Sequence, residues 1–278
     1  MPKHPIVFLM YHELELPGRR LCQSEPGYAR YVLPEIDFRA QIDYLKENAW
    51  QGLSVGQAIA FPDGRCVTIT FDDGCETDLL AAAPILRGYG FNATFFITCG
   101  RLGTSGHLST AQLKELSAKG FEIGCHSMTH PYLTDLDEKG LRHEISDAKT
   151  ELEQIIGQPV DHFSCPGGRC DRRVVTLARA AGYRTVSTSR IQANSESTDP
   201  FGLGRVAMLR NVPVSAFAAI CAGTPLPRMR VQSAIREAAR QMLGNSLYDR
   251  LRATILHRSD PGRSDPDRSD LDRSNPPR

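Results

Sequence analysis

No stretch of this chain approaches the ~18 consecutive apolar residues that a membrane-spanning helix requires. The apolar run near the start, Pro5-Ile6-Val7-Phe8-Leu9-Met10, is too short for a secretory leader core and passes directly into Tyr11-His12-Glu13, with no small-residue cleavage site. It reads as a first β-strand, and a cytoplasmic location is expected. Charge of one sign is also lacking. With 33 Lys and Arg against 32 Asp and Glu, the net charge is +1, which gives no general electrostatic reason to expect nucleic acid or an anionic surface as partner. Recognition must come from a local site. The eight cysteines show no CxxC spacing, so buried free thiols are expected, although an even count permits disulfides. Tryptophan is confined to Trp50, and no histidine occurs between His162 and His257.

What is present is a soluble-type core, 41% hydrophobic over 278 residues, enough for one large domain or two small ones. The segment Cys66 to Gly74, CVTITFDDG, alternates β-branched and aromatic residues with threonines, as a buried strand does, and ends in Asp72-Asp73-Gly74. Adjacent carboxylates at a strand end repel unless something neutralises one of them. A cation would do so; a turn whose side chains cap backbone amides would also suffice. Some fifty residues on, Phe121-Glu122-Ile123-Gly124 reads as another strand running into Cys125-His126-Ser127-Met128-Thr129-His130. His126 and His130 lie one helical turn or one tight loop apart, so both imidazoles can face one way. Two histidines with one Asp form a familiar ligand set for a divalent transition metal; separately, each fragment also suits ordinary surface or packing roles. Strands alternating with amphipathic helices, such as Ile36–Glu47, Thr110–Lys119 with Ser109 as cap, and Asp137–Ile156, argue for parallel βα units.

TFDDG followed by HSMTH resembles the first two motifs of the polysaccharide deacetylases, the NodB-like or family-4 carbohydrate esterases. The opening FLMYH is similar to the branch that includes poly-N-acetylglucosamine deacetylases. The resemblance spans roughly residues 5–215 and implies an α/β fold, a distorted (β/α) barrel of about seven strands with its site at their carboxyl ends. It implies further that Asp72 is the catalytic base, that Asp73, His126 and His130 hold a divalent metal, with zinc expected, and that His12 protonates the leaving amine. In the third motif, Phe163 to Arg169, it assigns Cys165, Pro166 and Gly167 to oxyanion and substrate binding, with the Cys165 N–H as donor. The chain departs from the family in three places. Ser164 stands where many members have an Arg that orients the base, and Arg169 is the candidate substitute, with a surface salt bridge as its ordinary alternative. The fourth, Trp-containing motif is not recognisable, Asn194 and Asp199 being weak stand-ins. The late Leu-x-His is missing, which is one reason the acid role falls to His12.

Three sections are expected: a catalytic domain over 1–215, an amphipathic helical extension over 216–257, and a disordered repeat tail over 258–278 (RSDPG, RSDPD, RSDLD, RSNPP) that cannot bury apolar surface. The basic helical stripe over 229–256 would either pack on the barrel or rest on a membrane face. Pro17, Gly18, Pro26, Gly27 and Pro34 mark a long loop over 14–34 that covers the site, with Tyr28 and Tyr31 placed to stack on sugar rings or to pack the loop. The implied substrate is an amino-sugar glycan, with no nucleic-acid partner, and the implied reaction is hydrolysis of its N-acetyl group. Alternatives are removal of formyl or another acyl group from a lipid-linked amino sugar, and a non-catalytic glycan-binding barrel. The oligomeric state is not readable from the sequence.

Overall fold

The computed structural model of the chain describes residues 5–23, 27–60, 64–231 and 234. The 258–278 tail and nearly all of the 229–256 stripe lie outside these residues. In chain order the strands are β1 (Val7–Tyr11), β2 (Glu13–Glu15), β3 (Val32–Pro34), β4 (Gln51–Leu53), β5 (Cys66–Phe71), β6 (Thr94–Ile97), β7 (Glu122–Cys125), β8 (His162–Ser164), β9 (Thr185–Ser187) and β10 (Val206–Ala207). Seven of them follow one another in the order β10-β1-β5-β6-β7-β8-β9, all parallel, with β4 pairing the start of β5. A parallel bridge from Ser187 to Leu203, just before β10, brings the two ends of this sheet together. The result is the distorted barrel expected from the motifs. The 14–34 loop is bracketed by its own two-stranded parallel sheet, β2 with β3.

The strands are short and buried on both faces, as parallel strands covered by helices must be; every residue of β5 is buried. Alternate residues of β1 and β5 serve the two faces. Leu9, Tyr11, Ile69 and Phe71 point outward to the helices, while Phe8 and Cys66 pack with Phe96 and Leu203 on the other face. On the outer side a chain of rings, Phe38–Tyr11–Phe71–Phe95–Phe121, stands at centroid separations of 5.1 to 5.5 Å. Each such side chain, fully buried, contributes roughly 1.5–3 kcal/mol of transfer free energy.

The helices are α1 (Glu35–Glu47), α2 (Val55–Ala60), α3 (Ala83–Gly88), α4 (Thr110–Ala118), α5 (Glu138–Arg142), α6 (Ala148–Ile156), α7 (Arg172–Ala180) and α8 (Val214–Cys221). Their starts obey local chemistry. Ser109 and Gln112 form a reciprocal capping box on α4, Asp137 caps α5, and Asp171 caps α7. The helix expected to run unbroken over Asp137–Ile156 contains a wide turn, His143–Asp147, that separates α5 from α6; a second wide turn, Asp78–Ala82, precedes α3, where Pro84 removes an N–H from the ladder. α8 begins at Val214 and seats Phe217 edge-on against Tyr44 of α1 at 6.0 Å, so the first turns beyond residue 215 belong to the barrel's outer layer. Among the described residues no helix is long and apolar enough to cross a membrane.

Candidate metal centre and active site

β5 and β7 end side by side in the parallel array, one strand apart, so the residues that follow them meet at one rim. Asp73, Ser127 and His130 all take left-handed backbone angles, with φ of 81°, 69° and 67°. Such angles cost a non-glycine residue of order 1–3 kcal/mol each and persist where surrounding contacts enforce them. In the His126–His130 loop the bracing group is Glu144. Its carboxylate accepts the N–H of Met128 (2.9 Å), the N–H of Thr129 (2.8 Å) and the Thr129 hydroxyl (2.6 Å), which holds the His126–His130 loop open.

Donor atoms of Asp73, His126 and His130 all lie within 4.8 Å of one another. Asp73 Oδ1 is buried without a hydrogen-bond partner and faces His130 Nε2 at 3.3 Å, Arg101 Nη1 at 3.6 Å and His126 Nε2 at 3.7 Å. The other oxygen, Oδ2, accepts from Gln23 Nε2 at 2.7 Å. His126 Nδ1 lies 2.8 Å from the Ser164 carbonyl. A carbonyl only accepts, so Nδ1 carries a proton and Nε2 is the ring nitrogen turned toward Asp73. Burial, reinforced by the neighbouring His126, pushes the His130 imidazole down to about 4, leaving it neutral with a lone pair to donate. Ligands bound ~2.1 Å from a common ion stand about 3 to 3.5 Å apart. A carboxylate oxygen without a hydrogen-bond partner, two imidazoles that direct Nε2 at it and this spacing fit a divalent cation.

Asp72 points the other way. Arg205 meets it in a two-pronged ion pair, Nη1 to Oδ1 at 2.7 Å and Nη2 to Oδ2 at 2.8 Å, and both side chains are buried. Arg205 is fixed in turn by the Thr188 carbonyl (3.2 Å to Nε) and by Ser164 Oγ (2.7 Å to Nη2). Burial raises the affinity of Asp72 for a proton, but the Arg205 guanidinium and nearby His126 outweigh it and hold the carboxyl well below the usual range. Ser164, standing where the family's Arg was expected, thus serves as a ledge for an Arg that arrives from just before β10.

Arg169 places its guanidinium carbon 3.4 Å from the Tyr132 ring centroid, stacked on the ring face, while the guanidinium paired with Asp72 is that of Arg205. One expectation is corrected. The Cys165 N–H is already donated to the Ser187 carbonyl at 3.1 Å as part of the β8–β9 connection, so it is not free for an oxyanion. Pro166 has no N–H. Gly167 comes next, at φ 60°, and a side chain there would meet the Tyr132 ring at 2.7 Å. Asn194 and Asp199 are structural: Asn194 bridges both backbone groups of Gly204, and Asp199 caps the turn at Phe201.

His12 follows β1 at the same rim. Burial lowers its affinity for a proton, while Asp73 and Asp72 act in the opposite direction, which places both carboxylates within electrostatic reach. Its Nδ1 is buried without a partner, and its ring stacks on Tyr31 with centroids 4.7 Å apart. Tyr28 packs inside the loop, its hydroxyl 2.9 Å from Cys22 Sγ. A cleft of about 770 Å³, lined in part by Asp171, Arg190 and Phe201, contains none of these site residues.

A family model described as polysaccharide deacetylase matches residues 61–186, the stretch that carries Asp72, Asp73, His126, His130 and the Cys165–Arg169 turn. YxkH of Bacillus subtilis (strain 168), a protein assigned to the polysaccharide deacetylases, is 30% identical over 193 residues, covering 67% of this chain and 69% of its own. The chain belongs to the polysaccharide deacetylase family. By that membership it is a hydrolase of carbon–nitrogen bonds outside peptides. This deacetylase is also 34% identical over 137 residues to a peptidoglycan-N-acetylglucosamine deacetylase of Bacillus cereus, covering 49% of this chain and 62% of that one. In solved structures its fold matches the Streptococcus pyogenes deacetylase PplD in complex with acetate (TM-score 0.70, 23% identity, 79% of this chain and 99% of that one). It also matches IcaB from Ammonifex degensii (TM-score 0.64, 23% identity, 80% and 97%).

Proposed function

We propose that this polysaccharide deacetylase removes the N-acetyl group from an amino sugar of a glycan, in a metal-dependent reaction that releases acetate. The supporting observation is the division of the Asp72-Asp73 pair. One carboxylate is held ionised by Arg205, and the other turns an oxygen without a hydrogen-bond partner toward Nε2 of His126 and of His130, with Arg101 Nη1 3.6 Å away. Asp73, His126 and His130 would hold the cation, which when bound supplies Lewis acidity toward the acetyl carbonyl and the attacking water. Asp72 accepts the water proton. The carboxyl group is held ionised and oriented by the guanidinium, so it need not reorient as the water is deprotonated. The Gly167 amide replaces that of Cys165 as the donor to the developing oxyanion, since Cys165 N–H is committed and Pro166 has none. His12 returns a proton to the departing amine. Tyr132, 38% exposed and backed by Arg169, offers an aromatic face for a sugar ring beside that turn.

The alternative of a non-catalytic barrel rests on the missing Arg, Trp-containing motif and late His together, and the Arg205 pair with Asp72 weighs against the first of these. The test is metal content by elemental analysis on the wild type, Asp73→Ala and His130→Ala, followed by acetate release from N-acetylglucosamine oligomers. One ion per chain in the wild type, lost in both variants together with acetate release, is expected. A metal-free wild type after zinc incubation would overturn the reading.

A further inference from the structure

The segment after β2 touches the Asp72-Asp73-Gly74 turn at a second place, through Cys22. Its sulfur stands 2.7 Å from that of Cys75, and both residues are thiols here. The approach is built in from three sides. The Cys22 N–H is held by both oxygens of Glu13, at 3.0 and 3.1 Å, and Arg19 pairs with Glu76, the residue after Cys75. From the third side Gly106, at φ 81°, lies so close that a side chain on it would stand 2.7 Å from Cys22 Cα, while its carbonyl takes the Glu76 N–H at 2.8 Å. The Tyr28 hydroxyl caps the pair, 2.9 Å from Cys22 Sγ and 3.6 Å from Cys75 Sγ.

Two chemistries compete for such a pair, because Glu13 brings a carboxylate within 4.8 Å of both sulfurs and completes a possible cation triad. Spacing decides between them. Two thiolates on one zinc, each ~2.3 Å from the ion in tetrahedral geometry, stand about 3.8 Å apart. Unbonded heavy atoms keep about 3.5–4 Å. Sulfurs 2.7 Å apart are inside both limits and approach the ~2.05 Å of a disulfide.

We propose that Cys22 and Cys75 form a disulfide on exposure to a small-molecule disulfide, tying the segment after β2 to the strand end that carries the base and a metal ligand. Cys22, half-buried, attacks the small disulfide as thiolate, forming a mixed disulfide and expelling one small thiol. Cys75, fully buried behind it, attacks Cys22 Sγ, forming the internal bond and expelling the second. Two protein thiols are oxidised by two electrons, the small disulfide is reduced to two thiols, and the cysteine protons leave on those thiols. The cross-link fixes Gln23, the neighbour of Cys22, whose amide donates to Asp73 Oδ2 at 2.7 Å. Oxidation therefore sets how firmly one oxygen of the candidate metal ligand is held.

The full chain is incubated with glutathione disulfide, denatured, alkylated and mapped without reduction, in parallel with Cys22→Ser. The expected result is loss of two alkylatable thiols from the eight, a linked Cys22–Cys75 peptide, and a rise in Tm that dithiothreitol reverses. Cys22→Ser should show neither the peptide nor the rise. Linkage through other cysteine pairs, or no linkage at all, overturns the proposal. So does a second zinc per chain that protects both thiols and is lost in Cys22→Ser, which would make the cluster a metal site.

Discussion

Two adjacent carboxylates on one turn cannot both be buried unless each is neutralised, and the fold neutralises Asp72 and Asp73 in opposite directions. Replacing Asp72 with Asn is expected to cut turnover by about 10²- to 10⁴-fold, the range for a lost general base, with metal content unchanged. His130→Ala is expected to lose both, and equal metal loss in the two variants would contradict the division of roles. Arg205 carries a separate prediction. Removing one partner of a buried ion pair costs about 3–5 kcal/mol, so Arg205→Met should lower stability markedly in chemical denaturation. Adding Asp72→Asn to it removes the stranded charge and should recover part of that loss; a double variant no more stable than the single one would show that Arg205 acts by packing alone. The cluster of Asp73, His126 and His130 was legible because Asp-Asp-Gly and His-x-x-x-His sit at strand ends in the right order. Arg205 was not, because motif comparison looks for its Arg beside Ser164, and the guanidinium arrives from 41 positions away. Its one trace in the sequence is a charged residue within an otherwise apolar strand segment, Leu203 to Leu209.

At the scale of single elements, chain chemistry and structure agree where the controlling groups are close in sequence. The Ser109 capping box is such a case, and Ser109→Ala should cost about 1 kcal/mol in urea unfolding. The wide turns at Asp78–Ala82 and His143–Asp147 were not legible, since a helical stripe of apolar residues keeps the same look when one residue is added to a turn. β8 supplies a pH prediction. His162 is buried, its Nδ1 is 2.9 Å from Thr185 Oγ1, and burial lowers its pKa despite Glu122 at 3.6 Å from Nε2. The unfolded chain then binds this proton more tightly than the folded one. Stability attributable to His162 is present above the unfolded value of about 6.5 and declines below it, by at most about 1.4 kcal/mol per pH unit, until the folded pKa is passed. His162→Gln should flatten that part of the profile of unfolding free energy against pH, and an unchanged slope would refute it.

For the whole molecule, a cation bound only by the folded state raises its stability by mass action, about 2.7 kcal/mol at a hundredfold excess over Kd. A chelator should therefore lower the Tm of zinc-loaded wild type toward that of Asp73→Ala and leave the variant's own Tm unmoved. Parallel βα units were readable from alternating strands and helices, and the barrel from the family resemblance. Its closure was not, because β10 is two residues long and the bridge through Leu203 is a single pair, too brief for any periodicity to announce.

That closure has a consequence for how the protein is made. The last strand pairs with the first, and the residue that silences the charge of Asp72 is synthesised 133 positions after it. While the chain emerges from the ribosome, the middle of the sheet must wait with an uncompensated carboxylate at its rim. Folding of the candidate centre is thus deferred until residue 205 has been made, and a nascent chain stalled before it is the form most exposed to proteases and chaperones.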